Sequence, residues 1–166
     1  SGRAVVALGD LNDDGCDEYA TGSRTEDRPE ATDEGGVRIF YGFGGDGCFP
    51  SPRVLRLATG ERSGQAGWSL ARGDFDDDGL SDLAVGAWQR RTDNIPVGGA
   101  WVVPGSFLRS QTPRMLGTGE LGEPTLISEL GAEWVVGGLT RDSQAGYSVA
   151  FAGPYLAVGA PQDFSK

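Results

Sequence analysis

Ten of the chain's 24 acidic residues fall in two short stretches, with the types and spacing that a hard, oxygen-seeking cation requires. The first stretch is Asp10-Leu11-Asn12-Asp13-Asp14-Gly15-Cys16-Asp17-Glu18. The second, 64 residues further on, is Asp74-Phe75-Asp76-Asp77-Asp78-Gly79-Leu80-Ser81-Asp82. Side-chain oxygens stand at positions 1, 3, 5 and 9 of each nine-residue loop: Asp10, Asn12, Asp14 and Glu18, then Asp74, Asp76, Asp78 and Asp82. Position 6 is glycine in both loops, which permits the sharp turn that folds the loop over an ion. Position 7, Cys16 or Leu80, offers only its backbone carbonyl, which Ca²⁺ accepts among its roughly six to eight oxygen ligands. Asp and Gly also dominate ordinary turns. Two copies in register, with matching flanks, favour the ion over a coincidence of turns.

At 166 residues the chain is long enough for one domain with a real core. Its net charge of -10 is concentrated in the two loops, so the acidity points to bound cations more than to a solubilising surface. Arg24, Arg90, Arg91 and Arg109 are too scattered to form the basic track that a nucleic-acid partner needs. The absence of histidine excludes Ser-His-Asp and Cys-His catalysis and His-ligated zinc. A glycosidase-style carboxylate pair stays open on composition alone, although the clustered acids have a use as cation ligands. No apolar run approaches the roughly 18 residues of a membrane-spanning helix.

The elements that must hold the loops read as short strands between glycine-rich turns, 28 of the residues being glycine. An apolar run over 2–9 enters the first loop and 19–23 leaves it. Strands over 35–42, with Val37, Ile39 and Tyr41 on one face, and over 54–57 complete an up-and-down antiparallel sheet. The pattern restarts at Gly67-Trp68-Ser69, passes through the second loop and leaves along Leu83 to Trp88. A strand at Gly98 to Val103 matches the one at Gly35-Gly36. Arg114 to Leu116 and Glu133 to Val136 both qualify as the fourth strand, with an insertion near 104–132. A third start, Gly146-Tyr147-Ser148, meets a tight turn at Ala152-Gly153-Pro154 in place of an acidic loop, so this copy should bind no ion.

Cys16 and Cys48 are too few for a disulfide framework. In an up-and-down sheet, however, the first and third connections emerge at the same end, so a Cys16–Cys48 bridge pinning the first loop is feasible. Trp68, Trp101, Trp134 and Tyr147 fit packing between sheets better than a sugar platform. Arg72-Gly73-Asp74 spells an adhesive tripeptide, but Asp74 is already committed to the loop.

The aligned copies read Gly-aromatic-Ser, then Asp-x-(Asp/Asn)-x-Asp-Gly-x-x-(Asp/Glu), then Leu-Ala-Val-Gly-Ala or close to it. This resembles the FG-GAP repeat of integrin alpha-chain propellers. Gly67-Trp68-Ser69 and Gly146-Tyr147-Ser148 stand at the FG position, and Gly86-Ala87 and Gly159-Ala160-Pro161 at the GAP position. The first copy departs, with Glu18 for Asp and Gly22-Ser23 for Gly-Ala, so its site is expected to be weaker.

The resemblance implies an all-β fold, a β-propeller of four-stranded antiparallel blades holding about two and a half repeats. These are 1–66 with its loop at 10–18, 67–145 with its loop at 74–82, and a partial 146–166. Since propellers close with roughly four to eight blades, the expectation is part of a longer chain or a ring completed by several copies. It implies two structural Ca²⁺ ions and an extracellular, secreted or cell-surface module for adhesion or assembly, not an enzyme. Its partner would be a protein or further blades. The alternative is the propeller of a secreted hydrolase, or a lectin binding glycan.

Overall fold

The computed structural model describes residues 2–24, 27, 32–43, 48–111, 114–115, 124–127, 132–135 and 140–162. Four antiparallel strands form the first sheet in chain order: β1 (Val5–Gly9), β2 (Glu18–Ser23), β3 (Gly36–Phe43) and β4 (Phe49–Ala58). Val37, Ile39 and Tyr41 of β3 are buried together, as their alternation demands. In the second sheet β5 (Ser69–Gly73), β6 (Asp82–Gly86) and β9 (Ala100–Val103) run in the same up-and-down order. The excursion between β6 and β9 carries only the two-residue strands β7 (Arg91–Thr92) and β8 (Ile95–Pro96), which pair with each other. β6 reads as an unbroken small and apolar run after Asp82 because both its faces are covered; all five residues are buried.

Sequence left two candidates for the fourth strand of the second sheet. β12 (Glu133–Val135) takes that place, pairing with β9. The other candidate, β10 (Arg114–Met115), turns back and pairs with β4 of the first sheet. β11 (Thr125–Leu126) joins β4 as well, in parallel. The chain leaving β9 first makes a short helix, α1 (Gly105–Ser110), entered through Pro104, whose fixed φ suits the approach to a first turn. The last described elements are the hairpin β13 (Ser148–Ala152) and β14 (Tyr155–Gly159).

The first strands of the three sheets are neighbours, β5 packing against β1 on one side and β13 on the other. One apolar cluster crosses the boundary, joining Leu8, Ile39, Tyr41 and Leu57 of the first sheet to Leu83, Val85, Trp101 and Leu108 of the second. Backbone contacts make the finer fit. Gly22 stands where a Cβ would lie 1.9 Å from the carbonyl oxygen of Gly67, and a Cβ on Gly67 would meet the oxygen of Gly36 at 2.3 Å. One repeat later a Cβ on Gly86 would lie 2.3 Å from the oxygen of Gly146, and one on Gly146 would lie 2.0 Å from that of Gly99. Parallel bridges flank each seam, Gly35 with Ala66 and Gly98 with Ala145. The glycines of the repeat are thus what lets one sheet's backbone seat on the next.

Candidate metal centre

Each acidic loop joins the first two strands of its sheet, and the two loops share one hydrogen-bond frame. In the second, the N–H of Asp78 donates to Asp74 Oδ1 at 3.1 Å and that of Gly79 to Asp74 Oδ2 at 3.0 Å. The N–H of Leu80 donates to Asp78 Oδ1 at 2.8 Å. In the first, Asp14 and Gly15 donate to Asp10 at 3.1 and 2.9 Å, and Cys16 donates to Asp14 Oδ1 at 2.9 Å. Position 3 accepts from position 5 in both, Asn12 from Asp14 at 3.0 Å and Asp76 from Asp78 at 3.3 Å. The backbone repeats too. Position 4 is left-handed in Asp13 (φ 58) and Asp77 (φ 62), and position 6 in Gly15 (φ 87) and Gly79 (φ 83). Asp tolerates that region better than most residues because its short side chain bonds locally.

This frame turns the side-chain oxygens inward. One oxygen each from Asp74, Asp76 and Asp78 lies within 4.8 Å of the others, close enough to share one ion. In the first loop the same places hold two carboxylates and the Asn12 amide. Every donor is oxygen, the set a hard cation such as Ca²⁺ prefers to a soft or imidazole-seeking metal.

Position 9 behaves differently from positions 1, 3 and 5. Glu18 and Asp82 are buried at the base of their loops. The N–H of Leu11 donates to Glu18 Oε2 at 2.7 Å and that of Gly42 to Oε1 at 3.2 Å. Asp82 is held identically, by Phe75 N–H at 2.5 Å and Gly105 N–H at 2.7 Å. Each carboxylate therefore ties position 2 of the loop to backbone at or just past the end of the sheet's third strand, Glu18 to Gly42 near the end of β3 and Asp82 to Gly105 at the start of α1, just past β9. Burial, with Asp14 and Asp10 beside it, pushes the Glu18 carboxyl up to about 7 against those two hydrogen bonds. Burial pushes Asp82 upward as well, helped by Asp76 and Asp78.

Gly42 and Gly105 were not foreseen as part of the site. A Cβ on Gly42 would stand 2.7 Å from Cys16 Cβ, and one on Gly105 would stand 2.6 Å from the Ser81 carbonyl oxygen. Only glycine at these two places, one in β3 and one opening α1, lets the backbone come close enough to donate. No spacing signal marks them among so many glycines, because the contact depends on register between strands.

Cys16 and Cys48 form a disulfide, their Cα atoms 5.4 Å apart, with Cys16 buried at position 7 of the first loop. Replacing Cys48 by serine together with Cys16 is expected to lower stability by about 2–3 kcal/mol, by releasing a closed loop of the unfolded chain. Urea denaturation of the double variant against the oxidised protein reads this directly; an unchanged midpoint would show that the bridge is dispensable. The tripeptide Arg72-Gly73-Asp74 is occupied as expected, with both Asp74 oxygens bonded to its own loop. Trp101 is buried in the core. Trp68 packs on Tyr147 and Trp88 with ring centroids 5.3 and 5.0 Å away. The side chain of Trp134 lies outside the described residues. Among the described residues no helix is long and apolar enough to cross a membrane.

Residues 66–93, from the Gly67-Trp68-Ser69 start through the second loop to the close of β7, match the FG-GAP repeat family model. The chain is 36% identical to human integrin alpha-D and 37% identical to mouse integrin alpha-X, each over 89 residues. Each match covers 52% of this chain and 7% of the relative, so the chain spans a small fraction of the curated relatives it matches.

Proposed function

We propose, from the premise that this chain is an integrin-like FG-GAP repeat protein built of β-propeller blades, that it is a calcium-stabilised, non-enzymatic module for adhesion or assembly outside the cell. The repeats would be 1–66, 67–145 and the partial 146–166, with an insertion near 104–132. The single observation that carries the calcium reading is the frame shared by the two loops, which turns three carboxylates of the second to within 4.8 Å of one another.

In this reading Asp74, Asp76, Asp78 and the Leu80 carbonyl hold one ion, and Asp10, Asn12, Asp14 and the Cys16 carbonyl hold the other. Glu18 and Asp82 complete each shell with lone pairs left over from their backbone bonds. A bound cation would supply positive charge where the carboxylates now repel, and so lock the first two strands of a blade together. The same charge would keep Glu18 ionised, opposing the effect of its burial. The Cys16–Cys48 bridge supports an extracellular setting, where disulfides persist and calcium is millimolar.

Partners are supported by the glycine seam. Gly2, at φ 88, repeats the left-handed conformation of Gly67 and Gly146 with nothing described within 4 Å of its Cβ position. Among the described residues the nearest atoms to a Cβ on Gly159 all belong to its own Ser148, where a Cβ on Gly86 would meet both Ser69 and the next repeat. Both half-seams fit further blades of the same kind. Thermal melts in millimolar calcium against excess chelator, with mass in solution recorded alongside, test the proposal. A calcium-dependent rise in Tm is expected, and an unchanged Tm would leave only two acidic turns.

A further inference from the structure

The two loops differ in what the following repeat places beside them. The guanidinium of Arg72 lies over Gly9, the residue before Asp10, with Nη1 3.2 Å from where a Cβ on Gly9 would stand. In the third repeat the equivalent residue is Phe151, three positions after Ser148 just as Arg72 is three after Ser69. Its ring covers Gly73, the residue before Asp74, and meets Phe75 edge-on with centroids 6.4 Å apart. The same slot is thus charged at the first loop and apolar at the second.

A second guanidinium reaches the first loop from α1, where Arg109 pairs with Asp13. The helix is anchored to do this. Its first residue, Gly105, donates to Asp82 at 2.7 Å, Leu108 is fully buried, and the Tyr41 hydroxyl donates to the Leu108 carbonyl at 2.8 Å. Among the described residues no basic side chain pairs with Asp74, Asp76, Asp77 or Asp78.

We propose that Arg72 and Arg109 are built-in counter-charges of the first loop, which hold it in shape without an ion and lower its affinity for Ca²⁺, so that the second loop fills first. This rests on the reading that both loops bind calcium. Asp10, Asp13, Asp14 and Asp17 crowd one surface turn, and two guanidinium groups offset part of their repulsion before any cation arrives. An incoming ion then gains less from the same carboxylates and must share them with fixed positive charge. Both arginines are exposed, so salt screens the effect and keeps it modest.

The test is a calorimetric calcium titration of the whole chain carrying Asp78→Ala, which leaves the first loop to report alone, with and without Arg72→Gln or Arg109→Gln. Each glutamine is expected to tighten first-loop binding about two- to fivefold at low ionic strength, with less gain in about 0.5 M salt. The same variants should melt lower than their parent in excess chelator, since the counter-charge is gone. Arg109→Lys keeps the charge and should leave affinity near the parent value. Arg109 sits on the surface of α1, so its variants stay informative if Arg72→Gln disturbs the contact between repeats. Unchanged or weaker binding in the glutamine variants would overturn the proposal while leaving calcium binding intact. No binding by the parent chain at either loop would instead overturn the calcium reading beneath it.

Discussion

Replacing Gly22 by alanine is expected to unseat the second repeat from the first, at a cost of roughly 4 kcal/mol or more, the range reached only when a core contact cannot relax. The new methyl would stand 1.9 Å from the carbonyl oxygen of Gly67 and 2.8 Å from its carbonyl carbon. Both atoms are backbone, so no rotamer change relieves the overlap; one sheet has to move away from the other. Moving it breaks the Gly35–Ala66 bridge and opens the apolar cluster shared by Ile39, Leu83 and Trp101. Gly22 is in ordinary extended backbone, so the effect is steric and not one of backbone conformation.

Gly79→Asn is the fitting control. Gly79 needs a left-handed backbone, at φ 83, yet nothing lies within 4 Å of its Cβ position. Asn adopts that region at a cost of about 1 kcal/mol. Chemical denaturation of both variants in calcium checks the contrast. Equal losses at the two positions would show that the seam is softer than its distances imply.

That contrast also explains which parts of the molecule were legible in the sequence. The loops were, because their ligand spacing is local: nine consecutive residues carry the whole pattern, and the frame forms from their own N–H groups. The strands with clear alternation, such as Val37-Arg38-Ile39-Phe40-Tyr41, were legible for the same reason. The fourth strand of the second sheet was not, because Arg114-Met115 and Glu133-Trp134-Val135 are both short apolar runs that differ only in which edge they meet. Helix α1 also escaped, being six residues long with no side-chain cap at Pro104. Gly42 and Gly105 act across strands within their own repeats, and Arg72 and Arg109 across repeats, through register and packing, and a single sequence carries no local mark of that. The Gly-Ala of the motif could be matched to a family, but its physical meaning, a backbone seated against a backbone, appears only in three dimensions.

Calcium removal carries the other large expected effect. At free calcium about 100-fold above Kd, each filled site adds about 2.7 kcal/mol of stability, so emptying both loops costs roughly 5 kcal/mol. Asp78→Ala should remove about half of that, and only while calcium is present. In excess chelator two small effects oppose one another. The variant loses the bond from the Leu80 N–H to Asp78 Oδ1 at 2.8 Å, but it also loses one of three carboxylates held within 4.8 Å. Without an ion that carboxylate repels Asp74 and Asp76, so the chelated variant should melt close to the chelated parent. Asp77→Asn separates ligation from general acidity. Asp77 is exposed at position 4, off the ligand spacing, and Asn accepts its left-handed backbone, so the full calcium response should survive. Thermal melts of the parent and both variants, each in calcium and in chelator, decide the matter. If Asp78→Ala loses as much stability in chelator as in calcium, the carboxylate serves the turn and not the ion, and the structural role assigned to calcium fails with it.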